Sequence, residues 1–324
     1  MPSTSRHNRF ASAAWVFLGY LMLVLLLGAW VRISFSGAGC GDHWPTCHGQ
    51  IVPDTSNPKT WVEFSHRVTS GLAGLLGLGL FVWAWRRFER THRAVKAAGA
   101  TLFFLITESL IGAVLVKGGF VEHDDSVGRA IVIALHLVNT LGLTGSAVLM
   151  AWWASGGRAP ELTGRRRLEW LLGLALGGLI VTSMAGAVTA LGDTLFPTDP
   201  TLGAGLLDKI RSDVSPSNHF LVRLRIIHPI LSVVVGIYVM TISAMLAAEE
   251  SDGVTGRLAW ATFGIVVVQL VIGLLNIWLG APGWMQLVHL ALAQLLWLTG
   301  LLLTAEALGA STAPESSSTP PGSR

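Results

Sequence analysis

The chain has 324 residues, 52% of them hydrophobic and only 13% charged, with 22 basic against 19 acidic side chains, a net charge of +3 and a mean hydropathy of +0.59. A soluble domain carries about a quarter charged residues, so this balance excludes an ordinary water-soluble fold and fits an integral membrane protein embedded in lipid. The small positive charge comes from loop arginines and implies no nucleic-acid partner.

Apolar windows of about 20 residues predict eight spans, at 12–31, 64–85, 97–116, 130–153, 169–191, 222–247, 258–279 and 284–306. None alternates as a barrel strand does, so an all-α membrane protein is predicted. Arg6 and Arg9 precede the first span. Behind it comes "GCGDHWPTCHGQ", with the chain's only cysteines, Cys40 and Cys47, beside His43 and His48. Arg86, Arg87, Arg90, Arg93 and Lys96 crowd the connection between spans two and three, and Arg158, Arg165, Arg166 and Arg167 that between spans four and five. The positive-inside rule makes those segments and both termini cytoplasmic, in a multi-pass plasma-membrane protein whose cysteine loop faces outward.

In an oxidising compartment, two cysteines seven apart favour a disulfide, while a zinc or copper site with His43 and His48 stays open. A covalent heme motif would need cysteine where Trp44 stands. A lipoprotein cleavage site would want a leucine-like residue in place of Gly37.

The chain also repeats itself. "TESLIGAVLVKGG" from Thr107 parallels "VQLVIGLLNIWLGAP" from Val268, pairing Glu108 with Gln269, Gly112 with Gly273 and Gly119 with Gly280. His66 pairs with His228 and His136 with His289, while Gly28 and Ala29 near the end of span one pair with Gly186 and Ala187 in span five. Two tandem four-helix bundles in parallel repeat are therefore predicted. The division is a cytoplasmic N-terminus at 1–11, an N-terminal bundle at 12–153 with an outer loop at 32–63, a linker at 154–168, a C-terminal bundle at 169–306 and a disordered tail at 307–324.

Each of the four repeated histidines falls a few residues after its span begins, placing all four about 5 to 10 Å below the outer surface. A lone membrane histidine is usually a satisfied polar group. One histidine from each of two facing helices, at one depth, is the arrangement that holds heme iron from both sides. Zinc would want more ligands, and no third histidine or carboxylate repeats. Two bis-histidine heme sites are expected, His66 with His136 and His228 with His289. The other histidines, with Asp193, Glu122, Asp124 and Asp125, are expected on solvated loops or tails.

The halves differ three residues before the first histidine of each pair, where Glu63 stands in one and Arg225 in the other. Glu63, desolvated beside a porphyrin, is suited to accept and release protons, with Arg67 as its i, i+4 neighbour or a propionate ligand. Arg225 and Arg223 suit the propionates of a permanently held heme. Glu108, inside span three, is expected as a packing hydrogen bond or a proton-path residue.

"GAWVRISFSGAGCGDHWPTCHGQ" and "EFSHR", with His136, His228 and His289 in place, resemble the heme A synthase family, and the likeness spans nearly all the helical chain. The resemblance implies an oxidoreductase that converts heme O to heme A for terminal oxidases. In it His66 and His136 bracket the substrate heme, Glu63 is catalytic, His228 and His289 hold a heme B cofactor, and Cys40 and Cys47 form a disulfide. Heme O synthase and oxidase assembly factors are the implied partners. Some members carry a second cysteine pair in the C-terminal half, and "LGDTLFPTDPTLGAG" here has none. The alternative is a non-catalytic di-heme b-type cytochrome, which would use the same histidines for electron transfer alone.

Overall fold

In a computed structural model, residues 4–161, 165–197, 211, 213–250 and 253–309 are described, with side chains from residue 9 onward. The expected tail beyond Gly309 lies outside them. Among the described residues the helices include α1 Thr4–Ile33, α2 Pro58–Arg87, α3 Arg93–Lys117, α4 Val127–Ala154, α5 Arg166–Leu195, α6 Phe220–Leu224, α7 Ile227–Glu249, α8 Val254–Trp278 and α9 Gly283–Ala307. Among the described residues, eight segments are long and apolar enough to cross a membrane, with α6 and α7 forming one of them. The chain is a multi-pass membrane protein. Its lipid-facing exterior is apolar, with Val16, Leu75 and Trp170 all more than two-thirds exposed.

Each half closes a ring of four helices. In the first, α1 packs on α2 and α4, and α3 on α2 and α4. In the second, α5 packs on α7 and α9, and α8 on α7 and α9. The rings meet along a seam where α4 touches α5 and α9, and α1 touches α9. Across it the Trp297 indole donates to the Leu141 carbonyl at 2.8 Å, and the Thr144 hydroxyl donates to Gln294 at 3.1 Å. Small residues let helices approach closely: a Cβ on Gly77 would lie 2.3 Å from Leu105, and one on Gly142 2.6 Å from Phe104.

Two matched helix ends show the two halves using the same local chemistry. After α3, Gly119 takes φ 70°, its N–H bonding to Val116 and that of Phe120 to Leu115. After α8, Gly280 takes φ 75°, with its N–H on Ile277 and that of Ala281 on Asn276. This double bond with a left-handed residue is the Schellman cap, and glycine adopts that backbone without steric cost.

Several boundaries move. Helix α2 starts at Pro58, inside the expected loop 32–63, because the Asn57 side chain accepts the Lys59 N–H at 2.9 Å and proline occupies the first turn. Helix α1 already begins at Thr4. At the arginine-rich end, Leu308 and Gly309 are ordered against the linker: the Glu161 N–H donates to the Leu308 carbonyl at 2.9 Å, and Pro160 bridges Gly309.

Candidate functional site

A cavity of about 1020 Å³ runs between the rings and is lined by all four repeated histidines. His66 stands on α2, His136 on α4, His228 on α7 and His289 on α9, each six to nine residues into its helical segment from the end that carries the cysteines. That is roughly 9 to 14 Å along the helix, deeper than expected because the segments begin earlier than the apolar windows do. The helices of each pair face one another across their ring. The His228 and His289 ring centroids are 6.1 Å apart and their planes 84° to one another.

Glycines shape the space for the imidazoles. A Cβ on Gly28 would lie 2.8 Å from Cε1 of His66, and one on Gly186 2.8 Å from Cε1 of His228. A Cβ on Gly273 would lie 3.1 Å from Cε1 of His289. Nδ1 of His66 and Nδ1 of His289 are buried without a hydrogen-bond partner. Buried polar atoms are nearly always paired, so idle imidazole nitrogens lining one cavity fit residues that ligate a metal. Replacing Gly186 with valine is expected to push His228 aside and abolish pigment binding in the C-terminal half while leaving the other half loaded. Absorption spectra of the purified variant check this.

Glu63 is 4% exposed, lines the cavity, and sits on the same face of α2 as His66. Its Oε2 accepts the Cys40 N–H at 2.7 Å, and its Oε1 accepts from Nε and Nη2 of Arg67. Arg67 also donates to the carbonyls of His43 and Thr46, both at 2.6 Å. Cys40 and Cys47 are buried and disulfide-bonded, and among the described residues no group of three or more histidine, cysteine, aspartate or glutamate side chains is placed to share a metal ion. The zinc or copper alternative therefore falls, since both thiolates are consumed. The disulfide loop is thus clamped to the first turns of α2, and Thr60 adds a bond to the Gly39 carbonyl at 2.6 Å. Closing so short a loop restrains the open form by about 2–3 kcal/mol. Thiol-reactive probes are expected to label neither cysteine until a reductant is added, as mass spectrometry would show.

Glu108 turns out to belong to the site. It accepts from Asn139 and, at 2.6 Å, from the Thr140 hydroxyl, and its Oε1 lies 3.4 Å from Nδ1 of His136. In the other half Gln269 takes the same place: its Nε2 lies 3.3 Å from Nε2 of His289 and donates to the His289 carbonyl at 3.2 Å.

Arg225 lines the cavity but is engaged. Its Nε lies 3.0 Å from Asp193 and its Nη1 3.5 Å from Asp213, and Nη2 donates to Gly192 at 2.8 Å and to Phe196. Arg223 is exposed and does not line the cavity. Asp193 is correspondingly not the solvated loop residue expected: it lies in α5 with its side chain only 15% exposed. His43, His48 and His123 are exposed, as expected, while His219 is half-buried. His219 caps α6, stacks on Phe196 and approaches Asp125 at 3.5 Å, and His123 stacks on Phe35. Two cavity-lining cations, Arg32 and Arg129, were not singled out by the sequence reading. The signal was there, since each falls one residue outside a predicted span.

Paired histidines on facing helices of a polytopic helical protein, all lining one cavity, are a donor set that could hold a porphyrin from both sides. The cytochrome oxidase assembly protein family model (COX15-CtaA) matches residues 11–301, and the chain belongs to that family. It is 45% identical over 305 residues to a Thermus thermophilus protein named protoheme IX farnesyltransferase, covering 94% of this chain and 49% of that one. It is 32% identical over 189 residues to a heme A synthase of Exiguobacterium sp., covering 58% and 60%. It is 40% identical over 141 residues to a heme A synthase of Geobacillus kaustophilus, covering 44% and 41%. The chain spans about half the length of the Thermus relatives. The resemblance drawn from the cysteine loop and "EFSHR" is borne out at the level of the family.

Proposed function

We propose that the chain is a heme A synthase, a membrane oxidoreductase that turns one ring methyl of heme O into a formyl group. The overall change is R–CH3 + H2O → R–CHO + 4 H⁺ + 4 e⁻, through successive hydroxylations with water as oxygen source and an external electron acceptor. The observation that carries this reading is the asymmetry between two otherwise matched pockets. Glu63 stands beside His66 where Arg225 stands beside His228, and Glu108 contacts His136 where Gln269 contacts His289.

His66 and His136 would clasp the substrate porphyrin from opposite sides. Glu63, one turn from His66, would take the protons released as the methyl is oxidised. Arg67 and the Cys40 N–H hold that carboxylate in place, so the disulfide loop acts as its support. Glu108 would orient His136. His228 and His289 would hold a resident heme B, for which the 6.1 Å ring separation and the Gly186 and Gly273 cradles are suitable. A heme there supplies one-electron transfer. Arg225, bound to Asp193 and Asp213, would fix the chain just before His228.

A non-catalytic di-heme cytochrome would have no use for these differences between the pockets. The farnesyltransferase name belongs to proteins about twice as long, half of which lies outside the match. Their length supports heme O synthase as the partner that delivers substrate, with oxidase assembly factors receiving the product. The arginine-rich connections support a plasma-membrane orientation with the disulfide end outward. Producing the chain in membranes with a heme O source and extracting the pigments tests the reaction. A porphyrin bearing a formyl group is expected, and unchanged heme O as the sole product beside protoheme would overturn the proposal.

A further inference from the structure

Of the four arginines that line the cavity among the described residues, two are ion-paired. Arg67 is paired with Glu63, and Arg225 with Asp193 and Asp213. Arg32 and Arg129 make no ion pair among the described residues. Arg32, near the end of α1, donates from Nη1 to the Ala190 carbonyl at 2.6 Å and to the Thr194 hydroxyl, and from Nη2 to Gln286 at 2.9 Å. Arg129, in the first turn of α4, is 3% exposed and donates from Nη1 to the carbonyls of Glu122 and Asp124 at 2.7 and 2.6 Å. Its Nε is buried without a partner. The nearest carboxylates are committed elsewhere, Asp124 to the Ser126 hydroxyl at 2.9 Å and Asp193 to Arg225. Arg32 lies within electrostatic reach of Asp193 first and of Arg129 second, and Arg129 within reach of Asp124. Two guanidinium groups beside one cavity, hydrogen-bonded only to neutral acceptors and one of them with a buried, unpartnered Nε, offer donors that the oxygens of an anion can take.

Their register says where that anion belongs. Arg129 precedes His136 by seven residues, which puts both on one face of α4 about 10 Å apart along the axis. Arg32 follows Gly28, whose Cα faces the His66 ring, by four residues on α1. Arg129 therefore lies toward the disulfide end, beyond the histidine pair of the N-terminal ring, by the distance that separates a porphyrin's centre from the ends of its propionate arms, and Arg32 reaches the seam between the rings at the same end, where its bonds run to α5 and α9. The C-terminal ring has no equivalent: Ala190 and Pro282 occupy the corresponding positions on α5 and before α9.

We infer that Arg32 and Arg129 form a carboxylate-binding site that holds the propionates of the porphyrin clasped by His66 and His136. The site fixes which edge of the ring faces the disulfide end, and so which methyl lies near Glu63. This rests on the proposed substrate but not on its oxidation. Bidentate guanidinium–carboxylate contacts discriminate strongly against a neutral ester.

The test titrates the full-length protein in detergent with iron protoporphyrin IX and with its dimethyl ester, counting the binding that His66→Ala removes. The unaltered protein is expected to favour the diacid at least tenfold. Arg129→Gln and Arg32→Gln should each lower affinity for the diacid about tenfold, leave the ester unchanged, and keep the low-spin bis-histidine spectrum. Arg129→Lys should recover part of the preference. Equal affinity for diacid and ester in the unaltered protein, or equal loss of both in the variants, would overturn the inference. A chain that prefers the diacid yet never forms the formyl product would sink the proposed reaction and leave this site standing.

Discussion

Glu63→Gln is expected to bind porphyrin in both halves and to form the formyl product about 10²–10⁴ times more slowly, the range that a positioned proton acceptor contributes. The substitution keeps the shape of the side chain and one carbonyl oxygen that can still accept the Cys40 N–H. It removes the second acceptor and places an amide NH2 against the Arg67 guanidinium. The loop should stay in place, because Arg67 keeps its bonds to His43 and Thr46, and Thr60 keeps its own to Gly39. The rate of product formation, divided by the absorbance of bound pigment, separates loss of chemistry from loss of substrate. A variant with intact spectrum and undiminished rate would reduce Glu63 to the structural partner of Arg67. Glu63→Asp provides the intermediate case, since it retains the carboxylate but falls a methylene short of its present partners.

The eight spans were legible because lipid imposes one rule on every residue of a crossing: about 20 apolar positions in a row. The same rule hid the first turns of α2 and α4. Pro58 to Glu63 is too polar to register as membrane, yet it is helical, because Asn57 caps it and the disulfide loop covers its polar groups. The histidine pairs were legible because duplication marks them twice, and the glycines that cradle His66 and His228 were visible as matched residues whose purpose was not. What the sequence could not disclose was partnership across helices. Glu108 and His136 are 28 positions apart and meet only because α3 packs on α4. Arg225 read as a cation free for propionates. It is the pairing of α5 with the segment before α7 that commits it to Asp193 and Asp213, while Arg32 and Arg129 hydrogen-bond neutral acceptors at the cavity wall.

That commitment makes Arg225 a keystone of the C-terminal ring, and Arg225→Met is expected to destabilise it by about 3–5 kcal/mol. The arginine is 8% exposed and sits where the helix breaks between α6 and α7, three residues before His228. Removing it takes from the half-buried Asp193 and Asp213 the guanidinium that bridges them, and frees the carbonyls of Gly192 and Phe196. Breaking one side of a buried pair costs more than the pair itself contributes, because the remaining charge cannot return to water. Asp193→Asn in the Arg225→Met background should therefore recover part of the loss, a coupling that a double-mutant cycle of thermal unfolding measures. The single variant should also shed the pigment held by His228 and His289 at a lower temperature than that held by His66 and His136. If it unfolds with the unaltered protein and releases both pigments together, the ion network is not what fixes His228, and the glycine cradle alone must hold the ring.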